Sequence, residues 1–271
     1  MDLVDESTSD IGIRNSIIVP AYHEQANVRP VTERVFAALG QEAAFTELIF
    51  VDDNSKDGTV EAVQQLKQEG FNVDVIVRTT DRGLSSAVMR GFLDARGKYL
   101  VCMDADLQHP PERLPAFLHK LQNHGFVAGT RYGPGVEMDK HWPLHRRVIS
   151  FGARMLAFPL TSVSDPMTGF FGIQKDLVMK TKNVNSQGFK IALDLLVKSD
   201  IEPSQVSEVP YSFGIRTVGE SKLTGKVMLY YLKQLEELYI YKFGLVPLAA
   251  TIISIGILVV LVLSWIYTVL T

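Results

Sequence analysis

Short apolar runs alternate with helical patterns along the first half of the chain, and this alternation limits the fold more than any other feature. The predicted strands are Ile17–Pro20, Leu48–Val51, Val73–Val77 and Tyr99–Met103. Amphipathic segments with apolar residues at helical spacing separate these runs. Strands that alternate with helices in this way indicate βαβ units, so we expect an α/β fold with a mostly parallel sheet.

Helices are predicted between these strands and again in the second half of the chain. The first is expected to open at Asn27, because Val28, Val31, Val35 and Leu39 follow at helical spacing. The others are predicted at 58–67, 84–95, 146–158, 188–198 and 224–241. The segment from Gly133 to Trp142 is too long for a simple connection, so we interpret it as a functional flap.

Three of the predicted strands are followed by polar residues of a particular kind. These are Tyr22-His23-Glu24, Asp52-Asp53 and Asp104-Ala105-Asp106. Ligands of open parallel sheets bind at the carboxyl ends of the strands. We therefore expect the three polar ends to converge on one site.

The pair Asp104 and Asp106 is the candidate metal site. In an extended strand this spacing places both carboxylates on one face, with Gln108 next on the same side. Close carboxylates repel each other unless a cation lies between them, and oxygen ligands favour Mg²⁺ or Mn²⁺ over zinc. An isolated Asp-x-Asp is more often a solvated acidic turn, and the convergence of the strand ends favours the metal site here.

Composition and missing motifs exclude several classes of protein. A net charge of −3 argues against a nucleic-acid partner. The single cysteine, Cys102, excludes an intrachain disulfide, and its place in an apolar strand predicts a packing role. Neither the Gly-x-Gly-x-x-Gly fingerprint nor a P-loop is present, so neither a dinucleotide dehydrogenase nor a P-loop NTPase is supported.

The C-terminal end differs in composition from the rest of the chain. Residues 243–271 contain no charged side chain and are long enough to span a bilayer, so we predict a transmembrane anchor there. Lysines precede this span and none follows it, which predicts a cytosolic catalytic part. The preceding segment, 223–242, has Val227, Tyr231, Leu235 and Leu238 at helical spacing, and we interpret it as an amphipathic helix at the membrane interface, with a core helix as the alternative.

Seven motifs in order resemble those of the dolichol-phosphate mannose synthases, which are inverting family 2 glycosyltransferases. The motifs are Val19-Pro-Ala-Tyr-His-Glu24, Val51-Asp-Asp-Asn-Ser55, Arg82-Gly-Leu-Ser-Ser86, Met103-Asp-Ala-Asp-Leu-Gln-His-Pro110, Gly129-Thr-Arg-Tyr132, Asp165-Pro-Met-Thr-Gly-Phe-Phe171 and Gly219-Glu-Ser-Lys-Leu223. The resemblance implies the nucleotide-diphospho-sugar transferase-like (GT-A) fold. With it, we predict a disordered tip at 1–15, a catalytic domain at 16–222, the interface helix at 223–242 and the anchor at 243–271.

The resemblance also implies an activity and its partners. Mannose would pass from GDP-mannose to dolichyl phosphate at the cytosolic face of the endoplasmic reticulum membrane, giving the mannose donor for protein glycosylation and for GPI anchors. The single span is similar to the form of the family that needs no separate protein subunit. Mg²⁺ or Mn²⁺ would assist the reaction, and no nucleic acid would take part.

Roles for individual residues follow from the same resemblance. The residues implied at the guanosine site are Pro20, Tyr22, Glu24, Val51 and Asp53. Those implied at the metal and diphosphate are Asp104, Ala105, Asp106 and Gln108, with Arg131, Arg216 and Lys222 on the phosphates. Arg131, Arg146 and Ser150 are implied at the acceptor phosphate, and Asp106 and Arg131 are the expected catalytic residues.

The chemistry of the reaction agrees with this set of residues but leaves alternatives open. A phosphate monoester acceptor is already anionic, so no strongly tuned general base is required. Glu24 or Asp53 could still be a base or nucleophile, although hydrogen bonds to the guanine or ribose are the preferred interpretation. Three other activities remain: a UDP-glucose-dependent glucosyltransferase, a tail-anchored nucleotide-sugar-binding module without turnover, and, disfavoured by the single span, a processive synthase. Arg146-Arg147 could also be a solvated helix start, or part of a kinase site at Ser150.

Overall fold

A computed structural model describes residues 12–133, 136, 144–186, 188, 190–213 and 225–245, and for 144–148 and 225–227 it describes the backbone alone. The strands are β1 Asn15–Ala21, β2 Thr46–Asp52, β3 Val73–Val77, β4 Tyr99–Cys102, β5 Phe126–Thr130, β6 Phe171–Gln174 and β7 Val206–Pro210. The α-helices are α1 Gln25–Leu39, α2 Thr59–Gln68, α3 Leu84–Asp94, α4 Leu114–Leu121, α5 Leu144–Ala157, α6 Lys175–Lys180, α7 Ile191–Lys198 and α8 Gly225–Phe243. Short 3₁₀ segments lie at Gly40–Phe45, Pro111–Arg113, Phe158–Leu160 and Pro203–Gln205.

The seven strands form one sheet in the order β3-β2-β1-β4-β6-β5-β7. The first four in this order are parallel, β6 runs antiparallel to both of its neighbours, and β5 pairs with β7 in parallel. The expected α/β fold with a mostly parallel sheet is therefore confirmed. The antiparallel strand was not predicted.

Side chains of the strands alternate between two hydrophobic cores, one on each face of the sheet. In β1, Ile17 and Val19 pack with the core on the side of α1, α2 and α4, while Ile18 packs with the core that includes residues of α3 and α7. This alternation follows from the two-residue repeat of a strand. Cys102 is a buried free thiol in the second core, and burial raises its pKa, so the predicted packing role agrees with the structure.

Three predicted helix starts differ from the observed ones by two or three residues, and one of them is that of α5, which begins at Leu144 rather than Arg146. Helix α1 begins at Gln25 rather than Asn27, because Asn27 lies inside the first turn and its side-chain amide donates to the Glu24 carboxylate at 2.7 Å. The helix predicted from Gly188 begins instead at Ile191. In all three places the sequence marks the helix correctly but not its first residue.

Helix α8 packs against the rest of the protein through its apolar stripe, the row of apolar side chains from which we predicted a helix at the membrane interface. Tyr231, Leu235 and Leu238 are buried in a third core formed with α7 and the end of α5. The stripe therefore faces protein, and it does not by itself indicate a membrane surface. Another side of α8 exposes Leu229 and Leu232. No helix among the described residues is long and apolar enough to cross a membrane, and residues 246–271 of the predicted anchor lie outside them, so the anchor and the interface position remain predictions.

Candidate active site

The three polar strand ends predicted from the sequence lie next to one another. Strands β2, β1 and β4 are neighbours and parallel, so their carboxyl ends meet at one edge of the sheet. Pro20 is in register with Val51, and the Asp53 amide donates to the Ala21 carbonyl at 3.0 Å just beyond the paired residues. The three strand ends therefore lie together at one edge, as expected, and this follows from the sheet order.

Hydrogen bonds fix the loop after β1 to the loop after β2. The backbone amide of His23 donates to Ser55 Oγ at 2.9 Å, and that of Glu24 donates to Thr59 Oγ1 at 3.0 Å. His23 has a φ of 61°, which turns the chain sharply into α1. The centroids of the Tyr22 and His23 rings lie 4.2 Å apart, and Tyr22 is exposed just beyond the end of β1.

Asp53 is held in a buried ion pair. Its carboxylate accepts hydrogen bonds from the Arg78 guanidinium and, at 2.8 Å, from the Gly83 backbone amide. Arg78 also donates to Ser86 Oγ at 2.9 Å and to the carbonyls of Asp81 and Gly83 at 3.0 Å. The pair therefore fixes the 81–83 loop beside the end of β2.

Two apolar residues of the predicted site have buried side chains. Val51 is fully buried in the core of the sheet, and Ala105 is nearly so. A ligand contact from Val51 would therefore come from its main chain, while Pro20, Tyr22 and Glu24 lie at or beyond the end of β1.

The two carboxylates of the candidate metal site lie in a turn and not on an extended strand. Strand β4 ends at Cys102, and Leu107 has a φ of 62°. The sequence argument from an extended chain is therefore wrong in its geometry. The turn is fixed instead by the Asp106 carboxylate, which accepts a hydrogen bond from the Gln108 backbone amide at 3.1 Å. Asp106 is 8% exposed.

The buried side chain of His109 supports this turn. Its Nδ1 accepts a hydrogen bond from the Asp104 backbone amide at 2.9 Å, so the acceptor nitrogen of the ring is the one nearest Asp104. The imidazole is buried, stacks on Phe170 at 5.1 Å and meets the edge of Tyr211. Burial lowers the pKa of His109 and thereby favours the neutral ring, whose Nδ1 can accept a hydrogen bond. The Asp104 and Asp106 carboxylates act in the opposite direction, but their effect is smaller.

A glycine leaves the Asp104 carboxylate accessible. A Cβ at Gly169 would lie 3.8 Å from both carboxylate oxygens of Asp104, and the Asp104 side chain is 41% exposed. Among the described residues, no group of three or more His, Cys, Asp or Glu side chains could hold a metal ion. Two carboxylates fit a magnesium-like ion whose other ligands are water and substrate phosphate, which is how Mg²⁺ is commonly bound.

Arg131 and Asp165 form the second buried ion pair of the site. Arg131 Nε and Nη2 donate to the two carboxylate oxygens of Asp165 at 2.7 and 2.9 Å. Asp165 is fully buried, whereas the Arg131 side chain is 16% exposed. Burial alone would lower the pKa of Arg131, but Asp165 raises it, so the guanidinium stays charged. Asp165 begins the 165–169 loop, and the same loop ends at Gly169 beside Asp104.

The acceptor residues implied by the resemblance are only partly described. Ser150 is a partly buried residue of α5, and Arg146 lies on the same helix with its side chain outside the described residues. Arg154, two turns beyond Arg146, donates from Nε to the Ser164 carbonyl at 2.8 Å and lies over the Tyr132 ring at 3.9 Å. Helix α5 is thereby attached to the segment after β5. Arg216, Lys222 and most of the predicted flap lie outside the described residues.

Sequence reasoning missed several residues that shape this site. Asp165 and His109 lay within quoted motifs but received no role, and Arg78 and Lys190 were not considered. Lys190 Nζ donates to the Met167 carbonyl at 3.0 Å, within the 165–169 loop. A single lysine or arginine outside a motif carries no sequence signal of its own. Of the four missed residues, only Asp165 and His109 could have been found from the sequence, because they lie within the quoted motifs.

Comparisons of sequence and of fold relate the chain to known proteins. Residues 16–181 match the family model described as glycosyl transferase family 2. The chain is 58% identical over 240 residues to a dolichol-phosphate mannosyltransferase of Saccharomyces cerevisiae, covering 86% of this chain and 90% of that protein. It is 57% identical over 255 residues to one of Mycosarcoma maydis, covering 92% and 87%. The fold is similar to glucosyl-3-phosphoglycerate synthase of Mycobacterium tuberculosis, solved with Mn²⁺, UDP-glucose and phosphoglyceric acid, with a TM-score of 0.63, 16% identity and coverage of 86% and 81%.

Proposed function

The chain belongs to glycosyl transferase family 2 and, within it, to the dolichol-phosphate mannosyltransferases, and on that premise we propose that it transfers mannose from GDP-mannose to dolichyl phosphate. The products are dolichyl phosphate mannose and GDP. The observation that carries this proposal is the 165–169 loop, which places the buried Arg131–Asp165 pair beside the acidic turn of Asp104 and Asp106. An acidic turn next to a fixed cation suits a reaction in which a diphosphate leaves.

The donor is proposed to lie across the ends of β1, β2 and β4. Tyr22 and Glu24 extend from the end of β1, and Asp53 follows β2, so the guanosine would lie between these loops. Because Asp53 already accepts from Arg78 and Gly83, we assign it first to shaping this pocket. Arg216 and Lys222 remain the proposed phosphate contacts from the segment outside the described residues.

Asp104 and Asp106, with Gln108 as the third proposed ligand, would hold Mg²⁺ or Mn²⁺ at the diphosphate. The oxygen donors and the open face of Asp104 at Gly169 support a hard divalent ion. When bound, this ion would stabilise the charge that develops on the leaving GDP. His109 keeps Asp104 in position through the backbone, independently of the ion.

The protein itself orients the reacting groups and stabilises charge. Arg131 is fixed by Asp165 through two hydrogen bonds, so its guanidinium presents a charge to an anionic group without having to reorient. The acceptor phosphate is already anionic, and it can attack the anomeric carbon without a strong base. A single displacement of this kind inverts the configuration at that carbon.

The acceptor is proposed to bind along α5. Ser150 and Arg146 would contact its phosphate with Arg131, since arginine suits a phosphate geometrically. Phe151 and Met155 are 58% and 48% exposed on the same helix, and they offer an apolar surface to the isoprenoid. The enzyme would work at the endoplasmic reticulum membrane, attached through the apolar segment 243–271, with its catalytic domain in the cytosol and no obligatory protein subunit.

The deciding experiment measures transfer of radiolabelled mannose from GDP-mannose to dolichyl phosphate by the full-length chain in detergent. We expect transfer that chelator abolishes and that Mg²⁺ or Mn²⁺ restores. Asp106→Ala should remove nearly all transfer, because it deletes a proposed metal ligand. Asp74→Ala is the matched control, since Asp74 is exposed on β3 and pairs with Lys67.

The same assay separates the alternatives. A glucosyltransferase would use UDP-glucose and would bind UDP more tightly than GDP in a calorimetric titration. A binding module without turnover would bind GDP-mannose and release no GDP. Either result with the folded wild-type chain would replace the proposed activity.

A further inference from the structure

Ser164, the residue directly before Asp165, connects three elements of the structure. Its backbone amide and its hydroxyl both donate to Glu208 Oε1 on β7, at 2.5 and 2.8 Å. Its hydroxyl also lies 2.6 Å from Thr130 Oγ1 at the end of β5. Its carbonyl accepts a hydrogen bond from Arg154 Nε of α5 at 2.8 Å. Each polar group of Ser164 therefore has a partner on another element.

The Glu208 carboxylate fixes the direction of these hydrogen bonds. A carboxylate only accepts, so the Ser164 hydroxyl donates to Glu208 and accepts from the Thr130 hydroxyl. Thr130 Oγ1 in turn accepts from the Tyr132 backbone amide at 3.1 Å. The chain of hydrogen bonds therefore runs from Tyr132 to Glu208, and it holds the backbone on both sides of Arg131.

The hydrogen bond between Thr130 and Ser164 lies beside the Arg131–Asp165 ion pair. Each of the two hydroxyl residues directly precedes one member of the pair in the sequence. The Arg131 backbone amide also donates to Asp165 Oδ2 at 3.3 Å. The relative position of the two backbones therefore determines whether the guanidinium meets both carboxylate oxygens, and such paired hydrogen bonds require an accurate geometry.

Glu208 reaches this network from the last strand of the sheet. Strand β7 lies at the edge, and Glu208 is in register with Ala128 of β5. Two charge-assisted hydrogen bonds hold Ser164 more firmly than bonds to a neutral acceptor would. A side chain without an acceptor at this position would leave both Ser164 donors without their partner in a partly buried site.

We propose that Glu208 is a positioning residue for the transfer reaction and acts through Ser164 on the Arg131–Asp165 pair. This inference rests on the proposed function, in which Arg131 binds phosphate, and it adds a residue that none of the quoted motifs contains. In this role Glu208 contacts neither substrate. Its carboxylate fixes Ser164, and Ser164 fixes the place from which Asp165 orients the guanidinium.

The test uses the full-length chain and compares two substitutions of Glu208. Glu208→Met removes the acceptor at similar length, whereas Glu208→Gln keeps a carbonyl oxygen there. Glu202→Met makes the same change at an exposed glutamate shortly before β7 and is the matched control. We expect Glu208→Met to lower kcat/KM for mannose transfer about 10- to 100-fold, as a small displacement of a group that positions a reactant does. Glu208→Gln should recover most of this loss, and Glu202→Met should show none.

A double-mutant cycle with Asp165→Asn tests whether Glu208 acts through the ion pair. Once Asp165 is replaced, Glu208→Met should lower kcat/KM further by no more than about 2-fold, because residues that act through one another are not additive. Two losses that multiply would show that Glu208 acts independently of the pair, and they would overturn the inference.

The NMR signal of the Arg131 Nε–H group reports on the pair without reference to turnover. It is observed in protein labelled with isotope-enriched arginine and is assigned through Arg131→Lys. We expect Glu208→Met to shift this signal in the direction that Asp165→Asn does, since both weaken the bond from Nε to the carboxylate. Glu208→Gln should leave the signal near its wild-type position.

Wild-type kcat/KM in Glu208→Met overturns the inference, as do equal losses in the two Glu208 variants or a loss with an unchanged Arg131 signal. If Glu208→Met does not fold, Ser164→Ala takes its place in the cycle, because it removes the hydroxyl link and keeps the backbone bond to Glu208. A loss that disappears in the Asp165→Asn background then supports the inference, and no loss or a multiplied one overturns it. A folded wild-type chain without transfer contradicts the proposed function instead, and the Arg131 signal still tests Glu208.

Discussion

Two buried aspartate–arginine pairs lie on either side of the acidic turn, and they bury opposite partners. In the Asp53–Arg78 pair the arginine is the more buried, at 7% exposure against 13%. In the Arg131–Asp165 pair the aspartate is fully buried and the arginine is 16% exposed. The cation of the first pair is therefore the enclosed partner, while the cation of the second pair keeps some exposed surface.

The other contacts of each pair explain the difference. Arg78 has three further acceptors, Ser86 Oγ and the carbonyls of Asp81 and Gly83, so its charge is used to fix a loop. Arg131 is fixed by Asp165 and lies over the Phe213 ring at 5.5 Å. A cation with few other polar contacts is the better candidate for binding a substrate anion. We infer that the first pair shapes the pocket and the second takes part in binding and transfer.

The largest expected effect comes from removing the charge of Asp165. Asp165→Asn leaves the Arg131 guanidinium buried without its counterion, and breaking a buried pair in this way costs about 3–5 kcal/mol. We expect transfer to fall about 10²- to 10³-fold, because Arg131 loses the orientation that two hydrogen bonds give it. Steady-state kinetics on the folded variant measure this effect. Wild-type kcat/KM in Asp165→Asn would show that the pair has no part in transfer.

The second prediction concerns the pH dependence of stability at Lys190, which faces Arg131 and Asp165 of this pair and Asp104 of the turn. Its pKa is about 8 in the folded chain and 10.5 ordinarily. Between these two pH values the unfolded chain therefore binds more protons than the folded chain. The lysine lowers the free energy of unfolding by its full amount below pH 8, and this penalty decreases as the pH rises to 10.5. Lys190→Met should be the more stable by up to about 3 kcal/mol at pH 7. Urea unfolding of both proteins at pH 7 and pH 10 measures the difference, and an equal difference at the two values would contradict it.

The third prediction is the counterpart of the first on the other pair. Asp53→Asn should lower the free energy of unfolding by about 2 kcal/mol, in the range for a hydrogen bond to a charged group, because Arg78 keeps its other acceptors. The KM for GDP-mannose should rise while kcat at saturating donor stays near that of the wild type. A larger loss of kcat here than in Asp165→Asn would reverse the roles inferred for the two pairs.

The smallest effect is expected at His109, between the two pairs. Asparagine can place an oxygen near the position of Nδ1 and keep the acceptor for the Asp104 amide, whereas glutamine places its oxygen nearer Nε2. We expect His109→Gln to weaken Mn²⁺ binding about 10-fold, as loss of a group that orients a metal ligand commonly does, and His109→Asn to weaken it less. Electron paramagnetic resonance of free Mn²⁺, with GDP present, measures this without reference to turnover. Equal affinities in the two variants would remove the positioning role.

Much of the donor half of the site could be predicted from the sequence. The apolar runs that became β1, β2 and β4 are local features, and a parallel sheet necessarily gathers their carboxyl ends. The prediction for Asp104 and Asp106 named the right residues for a partly wrong reason, because they lie in a turn beyond Cys102. Turns of this kind depend on a contact such as that from Asp104 to His109, which strand periodicity does not contain.

The other half could be predicted only in outline. Arg131 was expected to bind phosphate, but its partner Asp165 lies 34 residues away along the chain. The antiparallel strand β6 brings that partner close, and no pattern in the residues predicts its direction. Lys190 depends on a contact with Gln234, 44 residues later. The stripe on α8 was recognised, but the surface it packs against was not.

The sequence by itself therefore determined the class of fold, the edge of the sheet where the site lies and the acidic residues at its centre. These follow from side-chain periodicity and strand direction, which neighbouring residues specify. The tertiary structure alone decided which charges pair, which cation stays accessible and which helix supports it. Such pairings join groups that are distant in the chain, and their energies depend on burial, which exists only once the helices have packed on the sheet.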